Sequence, residues 1–136
     1  MSYRLTVPFV LLSENFEAEF EANLQRCRDA GAHRIFYVVC DANAPQETKQ
    51  RTLALLRTYL PRVKAAGFEA GCWFNSLGHG GPAGARTRQA AAARDLTLMR
   101  ALDGSADGEN YCPLNESFRQ QFCDWMQQCG GSECCY

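Results

Sequence analysis

The sequence has little net charge and no long hydrophobic run. Its 136 residues include 14 Lys and Arg against 15 Asp and Glu, so the formal charge at pH 7 is −1. A near-neutral total gives no electrostatic reason to expect nucleic acid or an anionic membrane as a partner. The apolar run at 9–12 is far too short to span a bilayer, and acidic residues rather than a cleavage site follow it. We therefore expect a cytoplasmic protein with no nucleic-acid or membrane partner.

Histidine is scarce and the C-x-x-C pair is missing, although the chain has eight cysteines. Without a secretory signal, a disulfide framework is not expected. The cluster of Cys129, Cys134 and Cys135 is typical of a metal or redox patch or of a loose tail with reactive thiols, and His33 and His79 lie far from it in sequence. We expect no metal and no cofactor, and we keep a thiol- or metal-binding protein as an alternative.

Three apolar runs predict strands at about 4–12, 34–40 and 69–75. The first run is polar on neither face, which is typical of a strand covered on both sides, and the second is the clearest strand signal in the chain. Pro8 weakens the first prediction, because proline cannot donate to a central ladder, and an early position in the strand is the tolerable case.

Helix-forming stretches follow the first two strands. Both end at an Ala-Gly pair, at 30–31 and at 66–67, so the order helix, Ala-Gly, strand and polar loop occurs twice. Pro61 lies inside the second stretch and should kink the helix or split it in two. The apolar stripes that predict these helices are Phe16, Phe20, Leu24 and Cys27 in the first, and Leu53, Leu56, Leu60 and Val63 in the second.

From residue 82 onward the sequence does not continue this repeat. Residues 82–110 predict an excursion with a short hairpin or strand, and a last helix follows at about 116–129, capped by Asn115 or Ser117. Residues 132–136 form a tail with no apolar strand. We predict a single α/β domain at 1–131, a parallel β-α repeat that fills about half of a (β/α)8 TIM barrel. Its open edges need partners, so it is the front of a barrel or a homo-oligomer that associates through those edges.

Polar side chains follow the predicted second and third strands, where ligand sites of β-α proteins are built. Asn75 and His79 lie in the glycine-rich loop after the third strand, and Asp41 follows the second. Trp73 lies close to the end of the third. Each has a plainer interpretation: Asn75 as a turn residue, His79 as a solvated loop residue, Asp41 as a helix cap and Trp73 as core.

The order of several motifs resembles the amino-terminal part of uncharacterised bacterial glycoside-hydrolase-like TIM-barrel proteins. It is more distantly similar to barrels of the α-amylase and β-galactosidase type. The resemblance covers most of the chain up to Cys129. The motifs that carry it are Trp73-Phe74-Asn75, Gly78-His79-Gly80, Leu102-Asp103-Gly104 and the stretch Tyr111-Cys112-Pro113-Leu114-Asn115 with Phe118-Arg119.

This resemblance implies a carbohydrate or another small polar ligand as partner. It implies that Asn75 and His79 hydrogen-bond a sugar hydroxyl or a catalytic carboxylate, with Asp41 and Trp73 at the rim of the site. Such barrels carry their catalytic carboxylates on the fourth strand and beyond. We therefore expect no catalytic residue here and no hydrolase activity from this chain alone. A structural, self-associating β-α module is the alternative.

Overall fold

The computed structural model describes residues 3–75, 88–89, 91–94 and 96–130, with only the backbone of 106–109. These residues fall into two compact units. The first contains β1 (Thr6–Val10), α1 (Phe16–Asp29), β2 (Arg34–Val38), α2 (Gln46–Ala65) and β3 (Glu69–Trp73). The second contains the segment Asp41–Pro45, β4 (Leu98–Arg100), β5 (Ala106–Tyr111) and most of α3 (Glu116–Gly130). The single domain at 1–131 with its tail at 132–136 stays a prediction.

The first unit is built on a three-stranded parallel sheet in the order β1-β2-β3. Thr6 lies beside Arg34 and Arg34 beside Glu69, so the strands start in line. This confirms the predicted α/β class and its parallel β-α repeat. The three strands do not close on one another, and the described residues form an open sheet.

One face of this sheet is covered by α1 and α2. Ile35 and Tyr37 on β2 are fully buried on this side. The hydroxyl of Tyr37 donates a 2.9 Å hydrogen bond to the carbonyl oxygen of Tyr59 on α2, and its ring lies 6.2 Å from that of Phe16 on α1. Burial raises the pKa of Tyr37 far above its ordinary value. The core of the first unit therefore lies between this face and the two helices.

The other face of the sheet, which we call the open face, consists of Pro8, Val10, Phe36, Val38, Gly71 and Trp73. These residues alternate with the buried ones and share a side by register. Val10 is 54% exposed and Trp73 53% exposed. A Cβ at position 71 would lie 3.2 Å from Phe36 Cε1, so the Phe36 ring lies over Gly71. The expectation that the first strand is covered on both sides is therefore wrong at Pro8 and Val10, which are exposed on the open face.

Pro8 is tolerated for a different reason from the one expected. It is the middle residue of β1 rather than an early one. The carbonyl oxygen of Leu5 accepts from the N–H of Arg34, so alternate residues from Leu5 onward bond to β2 and the backbone of Pro8 points away from it. Because β1 is an outer strand of the described sheet, the missing N–H leaves no ladder bond unmade.

Both helices of the first unit end at a glycine, as predicted. Gly31 and Gly67 have φ values of 67° and 89°, in the left-handed region that favours glycine. Beyond them the N–H groups of Ala32 and Phe68 reach back to carbonyl oxygens in the last helical turns. Pro61 does not split α2, which runs unbroken from Gln46 to Ala65.

The second unit contains the antiparallel hairpin of β4 and β5, where a hairpin or strand was predicted. Its small core contains Ala91, Leu96, Tyr111 and Phe118. The rings of Tyr111 and Phe118 stack at 4.8 Å. Of the two predicted caps of the last helix, Asn115 is the correct one, because its Oδ1 accepts a 2.8 Å hydrogen bond from the N–H of Phe118.

Candidate functional site

Trp73 is an exposed aromatic residue at the carboxyl end of β3. It lies beside Val38 on the open face, and its carbonyl oxygen accepts a 3.2 Å hydrogen bond from the N–H of Val39. That bond fixes the backbone from which the indole projects. With 53% of the residue exposed, the interpretation of Trp73 as a core residue is wrong. The indole is therefore a half-exposed apolar surface on a backbone held by the sheet. It lies at the carboxyl end of a strand, which is the end where parallel β-α proteins bind their ligands.

Asp41 lies in the short connection between β2 and α2. It is exposed, and its carbonyl oxygen accepts a 2.9 Å hydrogen bond from the N–H of Ala44, which closes a turn before the helix. Because α2 begins at Gln46, Asp41 lies outside its first turn. Asp41 remains a candidate ligand group beyond the end of a strand.

Asn75 is also exposed and follows β3 closely in the chain. It belongs to the second unit with Asp41, whereas Trp73 belongs to the first. His79 lies outside the described residues. Of the three predicted residues that the structure describes, Trp73 ends β3, and Asp41 and Asn75 follow β2 and β3 in the chain, with no common geometry assigned to them.

A polar cluster that the sequence did not indicate lies in the second unit. Its members are Asn43, Arg94 and Gln121. Arg94 Nη1 donates to Oδ1 of Asn43 and to Oε1 of Gln121, each at 3.3 Å, and Nη2 lies 3.5 Å from the carbonyl oxygen of Ala44. The connection that carries Asp41 is thereby tied to the helical residues 91–94.

Asn43 is unusual within this cluster because its amide nitrogen has no acceptor. The residue is 7% exposed, and its Nδ2 atom is buried without a hydrogen-bond partner among the residues described. Leaving a buried donor unpaired costs about 1–3 kcal/mol. The only sequence signal was its place in the polar stretch Asp41-Ala42-Asn43, and nothing local distinguished it from a turn residue.

The cysteines do not form a second centre in the described part of the chain. Six of them lie there, none in a disulfide, and no group of three potential ligands could hold a metal ion in those same ranges. Cys27 is buried, which raises its pKa. Cys129 is buried as well, whereas Cys134 and Cys135 lie outside the described residues. Thiol or metal binding by the terminal cysteines stays a prediction.

A groove of about 340 Å³ runs along the outer side of β1. Its lining includes Val7 and Phe9 of β1 and Phe16 and Arg26 of α1. All of these belong to the first unit. The outer strand and its helix therefore present a partly apolar slot to solvent.

In the described ranges no helix has both the length and the apolar character needed to cross a membrane. Comparison with known proteins found no match to any protein-family model, curated protein or solved structure.

Proposed function

We propose that this chain is a carbohydrate-binding portion of a (β/α)8-type barrel, glycoside-hydrolase-like in ancestry and without catalytic carboxylates of its own. The observation that carries the proposal is Trp73, which is half exposed on the open face at the carboxyl end of β3. Active sites of such barrels lie at the carboxyl ends of the strands.

The sheet of the first unit supports the barrel part of the proposal. Its strands are parallel and adjacent in chain order, as consecutive barrel strands are. α1 and α2 pack on the face of Tyr37, as the outer ring of barrel helices does, and the open face corresponds to the barrel interior. The groove beside β1 is where a further β-α unit would pack. An open face and an outer groove are both expected of an incomplete barrel.

Sugar binding follows from the chemistry of the exposed indole. A pyranose ring has an apolar face of C–H groups, and an aromatic ring covers that face while the hydroxyls stay free for hydrogen bonds. Trp73 offers such a ring on a backbone fixed by the sheet. Asp41, Asn75 and His79 remain the predicted hydrogen-bonding residues. We also propose a cytoplasmic location, supported by the six described cysteines that form no disulfide.

The test is isothermal titration of the wild-type chain with simple mono- and oligosaccharides, followed by Trp73→Ala. We expect Trp73→Ala to weaken binding by about tenfold, because it removes the stacking surface. Tyr3→Ala is the matched control: Tyr3 is also exposed, and it precedes the amino end of β1. Asn75→Ala and His79→Ala test the predicted hydrogen bonds. The absence of heat with every sugar, or equal affinity of Trp73→Ala and wild type, would contradict the proposal.

Self-association is the second candidate, because the open face and the groove beside β1 could each accept another copy. The area of the open face alone is too small for a stable interface. Three strands about 4.8 Å apart and five residues long at about 3.3 Å each cover only about 240 Å². A stable interface buries about 800 Å² per partner. Light scattering after size-exclusion chromatography decides: a concentration-independent monomer excludes the assembly module, and a dimer supports it.

A further inference from the structure

The groove beside β1 presents an apolar surface of fixed shape. Phe9 and Phe16 belong to its lining, and both are buried residues. The ring of Phe9 lies 6.3 Å from that of Phe20, and the ring of Phe16 lies 5.0 Å from that of Tyr59. Because these neighbours hold the two rings in place, an occupant of the groove meets a preformed apolar surface.

The dimensions of the groove indicate a long and narrow ligand. β1 has five residues at about 3.3 Å each, so a volume of about 340 Å³ along it gives a mean cross-section of about 20 Å². This is close to the cross-section of one extended hydrocarbon chain. The shape of the groove therefore favours a linear ligand over a cyclic one.

One end of the groove is polar and positively charged. Arg26 lies in the last turn of α1, about 15 Å along the helix axis from Phe16. Its Nη1 atom donates a 2.8 Å hydrogen bond to Oδ1 of Asn23, which also lines the groove, so Nδ2 of Asn23 is left to donate elsewhere. Among the described residues that line the groove, Arg26 alone carries a charge.

The guanidinium of Arg26 has no acidic partner in the described part of the chain. None of the ion pairs formed there includes it. The carbonyl oxygens of Arg26, Cys27 and Arg28, at the end of α1, already accept from backbone N–H groups beyond the helix. The charge is thus available to a ligand, and a guanidinium binds a carboxylate through two parallel hydrogen bonds.

We propose that this groove is a binding site for an ionised medium-chain fatty acid. The carboxylate pairs with Arg26 and accepts from Nδ2 of Asn23, and the alkyl chain lies along the groove toward Phe16. The extended chain of octanoate is shorter than the distance between these two ends. The site lies on β1, at the opposite edge of the described sheet from Trp73, and it does not depend on the proposed sugar binding.

An extended peptide is the competing occupant, and it could form only part of a hydrogen-bonded ladder on this edge. Alternate residues of β1 direct their backbone groups away from β2, and Pro8 and Val10 are among them. Pro8 has no N–H, and the carbonyl oxygen of Val10 already accepts a 3.2 Å hydrogen bond from the N–H of Ser13. An alkyl chain needs no backbone hydrogen bonds and binds by apolar contact.

The experiment titrates the full chain with octanoate, octanol and hexanoate in an isothermal calorimeter, at concentrations below micelle formation. We expect octanoate to bind at least about tenfold more tightly than octanol, because octanol lacks the charge. Octanoate should also bind at least about tenfold more tightly than hexanoate, because hexanoate buries two fewer methylenes.

Variants of the charged end test the role of Arg26. Arg26→Gln should bind octanoate no more tightly than octanol, and Arg26→Lys should restore part of the preference. Asn23→Asp should weaken octanoate binding at least about tenfold, because it supplies an internal carboxylate for Arg26. Arg28→Gln is the matched control and should bind as wild type does. Arg28 also lies in the last turn and bonds a neutral amide, that of Gln25, but it lies outside the lining of the groove.

A variant of the apolar lining tests the place of the chain. Ala30→Leu puts a larger side chain at an exposed position of the lining, so it should weaken the binding of octanoate and octanol alike. Ala22→Leu, at an exposed position of α1 outside the lining, is its control. Equal octanoate affinity of Ala30→Leu and wild type would overturn the proposed position of the chain.

Melting temperatures separate binding from folding. Octanoate should raise the melting temperature of wild type and of Arg28→Gln and leave that of Arg26→Gln unchanged, because only a ligand of the folded chain stabilises it. Equal affinity of Arg26→Gln and wild type for octanoate would overturn the site. Loss of octanoate binding in Trp73→Ala would place the ligand on the open face and also overturn it. No octanoate binding together with intact sugar binding would overturn the site and leave the proposed function standing.

Discussion

The two faces of the parallel sheet carry side chains of similar character and differ in what covers them. On the helix face, Ile35 and Tyr37 are fully buried. On the open face, Val10 and Trp73, equally apolar in type, are about half exposed. Apolar residues on both faces of a strand thus indicate that it belongs to a parallel sheet. Which of the two faces is buried depends on where the neighbouring helices pack.

The largest expected effect comes from truncating the helix face. Ile35→Ala removes a side chain with 0% exposure from the middle strand. We expect the free energy of unfolding to fall by about 2–5 kcal/mol, because the variant loses buried area and leaves a cavity. Urea unfolding followed by circular dichroism measures it. A loss below about 1 kcal/mol would mean that the helices do not pack on this face as described.

A smaller effect is expected from the buried hydroxyl on the same face. Tyr37→Phe removes the 2.9 Å hydrogen bond to the carbonyl oxygen of Tyr59 and keeps the ring. The free energy of unfolding should fall by about 0.5–1.5 kcal/mol. Tyr3→Phe, at an exposed position, is the control and should change nothing measurable. Equal stability of Tyr37→Phe and wild type would show that the bond adds nothing.

On the open face the same kind of change should have little effect. Val10→Ser replaces a half-exposed residue, and we expect the free energy of unfolding to change by no more than about 0.5 kcal/mol. A larger change in the free energy of unfolding would alter the comparison between the helix face and the open face. A loss of about 2 kcal/mol that grows with protein concentration would show that another copy covers this face in solution.

The smallest effect concerns the amino end of the sheet. Arg34 Nε donates to Glu69 at 2.7 Å, and Arg4 forms a second ion pair with it. The hydrogen bond from Arg34, with the charge of Arg4, holds the pKa of Glu69 below its ordinary value of 4.5. The pairs therefore stabilise the fold above pH 4.5, and the contribution is lost as the pH falls through the lowered pKa.

Glu69→Gln isolates this pH dependence. Glu69 is exposed, so solvent screening keeps the effect small. Unfolding curves from pH 6 to pH 2.5 should show the difference between wild type and Glu69→Gln shrinking as the pH falls. A difference that grows toward low pH would contradict the assignment.

Local signals in the sequence predicted the parts of the fold that depend on local chemistry. The apolar runs placed all three parallel strands, although the observed strands end earlier, at Val10, Val38 and Trp73. Gly31 and Gly67 predicted the helix ends, because a left-handed backbone there favours glycine. These features are set by residues that are neighbours in the chain.

The features that sequence reasoning missed depend on residues far apart. Whether Trp73 is buried depends on what packs on the open face, and alternation along β3 carries no information about that. Asn43 and Arg94 are 51 positions apart, and neither belongs to a recognisable motif. The position of Pro8 was acceptable only because β1 has a strand on one side in the described sheet. A single sequence does not encode these relations in any local pattern.

The proline in the outer strand has a consequence for how the protein behaves at high concentration. A bare strand edge is a template on which extended segments of other molecules assemble into aggregates. At Pro8 that template lacks a donor, and the rigid ring obstructs an approaching backbone. Pro8 therefore disfavours aggregation by strand addition at the outer edge of β1, although that edge is apolar and in contact with water.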